Sequence, residues 1–217
     1  WLLLRKLTRN EVFSAVGSCF FCIAPIFLNR AGGHFALGAQ WLILFGFYLY
    51  IHKSFCFKRW VLLLVLATTI HAYLLIMVYA IFLFDVLNKL LSNKLSLKSA
   101  FMYSATYSVL IFFTMQATGY FVIKGSDPYP GFGYLNMDIA GWFNPGDQRY
   151  SHLILSHGNQ QANFEGINYI GIGFIMLLLF MLIDSTIRKV VDIKRIIKSP
   201  ILYFCFIMAA VSITYRI

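Results

Sequence analysis

Residues 60–91 read WVLLLVLATTIHAYLLIMVYAIFLFDVLNKLL, and how this apolar block is accommodated decides the rest of the fold. A helix needs about 20 residues to span the hydrocarbon of a bilayer. The block is too long for one crossing and too short for two. Cations stand at both of its ends: Lys53, Lys58 and Arg59 before it, Lys89, Lys94 and Lys98 around its close. Cytoplasmic loops carry the excess of Lys and Arg in membrane proteins, so both ends belong on the inner side. The two requirements agree when the chain rises in a short helix over 60–69, turns near Thr68-Thr69-Ile70-His71, and descends in a full helix over 71–90. Such a turn leaves backbone groups unpaired and must be buried in protein or line a wet cavity. One long tilted helix is the other arrangement, and it inverts the sidedness of everything that follows.

Composition points the same way. The 217 residues are 60% hydrophobic and only 12% charged, with mean hydropathy +0.74. Soluble domains are about 45–50% apolar and about 25% charged. A net charge of +10 would suggest nucleic acid in a soluble protein. Here the cations sit in short loops between apolar blocks, which speaks against a nucleic-acid partner.

Working outward, the expected spans are 12–28, 35–51, the 60–69/71–90 hairpin, 99–122, 167–183 and 200–215. Between 184 and 198 runs a strongly basic stretch with the pattern of an amphipathic helix on the inner surface. Of eighteen Lys and Arg, fourteen fall inside in this arrangement, which is the asymmetry that fixes it. The fold class is therefore all-α, a polytopic transmembrane bundle with one large outer loop over 124–165. The chain opens at Trp1 within what reads as an apolar span, and we expect it to be a piece of a longer protein. Cys19 and Cys22 have metal or redox spacing, but they lie in an apolar helix with no second pair. No disulfide, metal or cofactor is expected.

Loop 124–165 holds four of the eight acids (Asp127, Asp138, Asp147, Glu165) and three of the five prolines. Its turn signals, Asp127-Pro128, Tyr129-Pro130-Gly131 and Asn144-Pro145-Gly146, alternate with aromatic residues. Rings beside Asn, Asp and Gln suit a sugar, whose C–H faces stack while its hydroxyls take hydrogen bonds. The same mixture also describes an interfacial aromatic belt.

Most of the candidate residues, in the loop and elsewhere, carry two readings. His71 is the deepest ionisable group of its block. It either pairs with a backbone carbonyl or, with Tyr73, lines a cavity under the loop. Arg30 and His34 stand at an outer turn, where they either snorkel to the interface or hold a phosphate through the guanidinium fork. Glu165 either complements the dipole of the helix that follows it or meets substrate. Asp127 and Asp138 could serve as acids or bases.

The segments APIFLNRAGGHFALGAQWLIL, ATTIHAYLLIMVYAIFL, GYFVIKGSDPYPGFGYLNMDIAGWFNP and FEGINYIGIGFIMLLL occur in this order. They resemble a little-characterised family of bacterial polytopic membrane proteins that is similar to the GT-C superfamily of glycosyltransferases. The resemblance spans most of 1–183 and is most specific from Gly131–Tyr134 through Phe143–Pro145 to Glu165–Tyr169. It implies sugar transfer from a polyprenyl-phosphate donor at the outer face of the bacterial inner membrane, with membrane lipid as surroundings and the central loop periplasmic. The implied substrate-binding set is Arg30, His34, His71, Tyr73, Asp127, Tyr134, Asn136, Asp138, Asn144, Glu165, Asn168 and Tyr169. GT-C enzymes carry their catalytic carboxylate in the first outer loop, so that residue is expected ahead of Trp1. A lipid or solute carrier, or a non-catalytic partner in an envelope complex, is the alternative function.

Overall fold

The protein's structure, a computed structural model, describes residues 1–24, 27–28, 35–122, 142–145, 169–188, 200, 202–203 and 205–207. All regular structure among them is helical. The chain divides into two compact units, Trp1–Phe21 with Arg30–Ser126 and Cys22–Asn29 with Asp127–Ile217.

In the first unit, α1 (Leu2–Thr8) turns through Arg9, at φ +56°, into α2 (Glu11–Cys22). The Asn10 Oδ1 caps α2 by accepting from the Phe13 amide at 3.0 Å. A 3₁₀ turn (Phe35–Gly38) precedes α3 (Trp41–Tyr50), so the span expected over 35–51 is in two pieces, with Ala39 and Gln40 between them. Then come α4 (Phe57–Ile70), α5 (Ala72–Leu91) and α6 (Leu97–Ala117).

The core follows from helical periodicity. Trp60, Leu63, Leu64, Ala67 and Thr68 are buried on α4, which is the i, i+3, i+4, i+7, i+8 stripe of one helix face. On α5 the buried stripe runs through Leu74, Leu75, Val78, Ile81, Phe82, Asp85, Val86 and Lys89. Trp60 meets Phe82 edge to face, and Phe82 meets Tyr107 of α6 at 4.5 Å. Gly46 lets α3 approach α5: a Cβ added there would lie 3.4 Å from the Ile81 Cδ1.

Long-range hydrogen bonds fix the helix directions. The Trp60 indole bonds to Asp85, so α4 and α5 are antiparallel. Tyr107 donates to the Phe57 carbonyl at 2.9 Å, and Tyr120 to the Thr68 carbonyl at 2.8 Å, so α6 runs alongside α4 in the same direction. Tyr50, Phe57, Leu91 and Leu97 therefore share one end of the unit, and His71 and Tyr120 share the other. We call these the basic end and the apex.

The break at the apex has a local cause. Thr68 and Thr69 return their hydroxyls to the carbonyls of Leu64 and Leu66, at 2.7 and 3.0 Å, a competition that bends and weakens a helix end. His71 is then extended (φ −164°, ψ 134°), and α5 starts at the next residue.

Other boundaries differ from the sequence expectation. Helix α6 starts two residues before Ser99 and stops at Ala117, followed by a turn with Gly119 at φ +81°. In the second unit α7 covers Ile172–Arg188, starting five residues later than residue 167, where Gly171 adopts φ +90°. Among the described residues one helix, α5, is long and apolar enough to cross a membrane. Glu11–Cys22, the two-piece stretch Phe35–Tyr50 and Ile172–Asp184 within α7 are apolar but shorter.

Candidate functional site

At the apex, His71 is the N-cap of α5. Its Nδ1 accepts from the Tyr73 amide at 3.2 Å, satisfying one of the four amides that a helix N-terminus leaves unbonded. The partner is thus a backbone amide, not the carbonyl that one sequence reading supposes. With Nδ1 accepting, the neutral ring carries its proton on Nε2. The rings of His71 and Tyr73 lie 5.2 Å apart, and Tyr73 is exposed. Tyr120 supplies the Thr68 carbonyl at the end of α4 with a donor. The apex is therefore a break in the helix whose freed backbone groups are met by side chains.

His71 supports a stability prediction. Replacing it with Ala is expected to cost about 0.5–2 kcal/mol, the usual loss of an N-cap acceptor, while Ser or Asn should keep most of that stability. Thermal unfolding of the purified protein checks this. Equal melting of the Ala and Ser variants would show that the cap is energetically idle.

In the second unit a backbone bond links the strips that hold two more candidates. The Ile170 amide donates to the Trp142 carbonyl at 3.3 Å, which ties the strip holding Asn144 to the lead-in of α7 holding Tyr169. Pro145 is buried, and Tyr169 is 1% exposed. Among the described residues the Tyr169 hydroxyl has no hydrogen-bond partner. Arg30, His34, Asp127, Tyr134, Asn136, Asp138, Glu165 and Asn168 lie outside the described residues.

The most strongly built polar cluster was not among the sequence candidates. Asp85 is 0% and Lys89 2% exposed. The Lys89 Nζ donates to Asp85 Oδ1 at 2.8 Å and to the Tyr50 carbonyl at 3.2 Å. The Trp60 indole donates to Asp85 Oδ2 at 2.9 Å. The Asp85–Lys89 pair thereby joins α3, α4 and α5 at the basic end. The sequence reading counted Lys89 simply as an inner-side flanking cation, and here it is buried and paired. A signal existed: Asp85 and Lys89 are four apart on one face and continue the Leu74–Val78–Phe82 stripe. Nearby, burial first and then the charge of Lys6 hold the His52 ring below its ordinary pKa, while its bond with Ser54 opposes them.

Fold and clusters together define an all-helical protein with a capped helix break at one end of its first unit and a buried, charge-paired knot toward the other. The chain belongs to the family described as Domain of unknown function (DUF6311), which matches residues 1–217. No curated protein and no solved structure matches it.

Proposed function

We propose that this chain is a multi-pass protein of a bacterial inner membrane that transfers a sugar from a polyprenyl-phosphate donor to an envelope acceptor on the outer side. The observation that carries the membrane part is the exposure of apolar helix faces. On α6 only Ala100 and Tyr107 are buried, while Leu97, Phe101, Met102, Val109, Phe112 and Phe113 are exposed. On α7 every residue from Leu177 to Ile183 is a large apolar side chain, and each is exposed. Monomeric soluble proteins rarely leave apolar patches beyond a few hundred Å² uncovered, and lipid is the solvent that suits these faces.

The cations give the orientation. Lys53, Lys58, Arg59, Lys94 and Lys98 flank the helix ends at the basic end, which is the inner side in this reading. Helix α4, 14 residues long, extends about 21 Å at 1.5 Å per residue. That is shorter than the roughly 30 Å hydrocarbon layer, so His71 and Tyr73 fall within the outer half of the membrane. A polar break at that depth suits a cavity wall that a lipid-linked phosphate enters sideways.

In the reaction, an acceptor oxygen attacks the anomeric carbon while the bond to the phosphate oxygen breaks, and the bonding pair leaves with polyprenyl phosphate. The acceptor's proton passes to a carboxylate acting as general base. The departing phosphate is already ionised, so stabilising its charge matters more than protonating it. Arg30 stabilises that charge, with help from an N–H of His34 or His71. Asp127, Asp138 and Glu165, with the Asn and Tyr residues of the loop, orient sugar hydroxyls. The resemblance of the loop motifs supports these roles.

The broken α4–α5 pair also favours a second reading, a carrier with its site at the break. One experiment separates the two. Full-length protein in vesicles is given polyprenyl-phosphate-linked radioactive sugar and an envelope fraction, and free polyprenyl phosphate is followed. Its release with label on the acceptor is expected. Movement of intact donor across the vesicle without bond cleavage would sink the transferase reading.

A further inference from the structure

We propose that the basic end of the first unit is a docking surface for the headgroups of anionic phospholipids. The inference rests on the membrane reading above and adds the class of lipid. Residues 1–122 contain only two carboxylates, Glu11 and Asp85. Both are committed: Glu11 to the Arg5 Nε at 2.7 Å, and Asp85 to the Lys89 Nζ at 2.8 Å. Arg9, Lys53, Lys58, Arg59, Lys94 and Lys98 are exposed and have no carboxylate partner among the described residues. Lys6 lies over the Tyr48 ring at 4.9 Å, which brings α1 to the same end.

The fold gathers these cations. The Lys89–Tyr50 bond holds the close of α5 to that of α3, the Trp60–Asp85 bond holds the start of α4 to α5, and the Tyr107–Phe57 bond ties the start of α4 to the middle of α6. The Lys94 amide folds back onto the Lys89 carbonyl at 2.8 Å. His52 senses the charges of Lys6, Arg59 and Lys89, each of which disfavours a further proton on its ring. An uncompensated positive field of this kind needs anions.

The surrounding surface says which anions. Leu7, Phe57, Leu91 and Leu97 are exposed beside the cations, Leu97 by 73%. Nucleic acid offers nothing to this apolar rim, and an acidic protein would need an apolar face of its own beside its carboxylates. A lipid layer offers phosphates to the cations and acyl chains to the rim at once.

The test uses full-length protein in a neutral detergent, given equimolar phosphatidylglycerol and phosphatidylcholine, with retained lipid read by native mass spectrometry. Each cation is worth on the order of five-fold in affinity for an anionic surface. Preferential retention of phosphatidylglycerol is expected. It should fall at least ten-fold in K58Q/R59Q/K94Q/K98Q, and in the unaltered protein at 1 M salt, where screening is close to complete. Equal retention of the two lipids, a preference insensitive to salt, or stronger binding of an RNA oligonucleotide than of phosphatidylglycerol vesicles would overturn the proposal. Membrane embedding is scored separately, as resistance to carbonate extraction from pure phosphatidylcholine vesicles. Embedding without lipid preference defeats this inference alone, whereas extraction by carbonate defeats the membrane reading as well.

Discussion

Asp85→Ala is expected to destabilise the protein by about 3–5 kcal/mol, because it leaves a buried ammonium without its counter-charge. In that variant Lys89 keeps only the Tyr50 carbonyl, and the Trp60 indole loses its acceptor. Lys89→Met should do comparable damage by stranding the carboxylate. The double variant Asp85→Leu/Lys89→Met is expected to recover most of the loss, since apolar replacement of both partners of a buried pair is often neutral or better. Thermal unfolding of the detergent-purified protein, arranged as a double-mutant cycle, reads the coupling directly. Single variants that melt like the unaltered protein, or losses that simply add, would mean that the two side chains are not joined as described.

The second large effect concerns catalysis. Arg30→Ala should lower sugar transfer from the polyprenyl-phosphate donor by about a hundred-fold or more, the usual loss when one preorganised donor to a developing anion is removed. Helix content and melting should stay unchanged. Arg30→Lys is expected to recover only part of the rate, since an ammonium keeps the charge and gives up the bidentate fork. Release of polyprenyl phosphate is the readout in both cases. An undiminished rate in Arg30→Ala would remove this residue from the mechanism.

What the sequence disclosed follows from how far each signal reaches along the chain. The interruption at Thr68–His71 is local. Two β-branched hydroxyl residues, an ionisable ring and a block of awkward length lie within reach of one another, and the chain changes helix there. Helix ends were less legible. The turn after Ala117 depends on Gly119 at positive φ, whereas hydropathy alone carries the apolar run on to residue 122.

The knot around Asp85 was missed for a different reason. Charge counting treats Lys89 as one more flanking cation, and nothing near it names Trp60 or Tyr50, whose separations from their partners are 25 and 39 residues. Only the continuation of the buried stripe through positions 85 and 89 announces the pair. In the candidate site, the loop motifs exposed residue types suited to sugar. The link between the strips at Trp142 and Ile170 is a backbone bond, which side-chain composition does not encode.

The tyrosine bonds to α4 also bear on how the chain is made. Phe57 waits fifty residues for Tyr107, and Thr68 waits fifty-two for Tyr120. At roughly 5–20 residues per second of synthesis, that interval is on the order of 3–10 seconds. On the multi-pass reading, α4 is too short to be released into lipid by itself. The same reading expects it to stay beside the insertion machinery until the next two helices have emerged, so that the three enter the bilayer as one parcel.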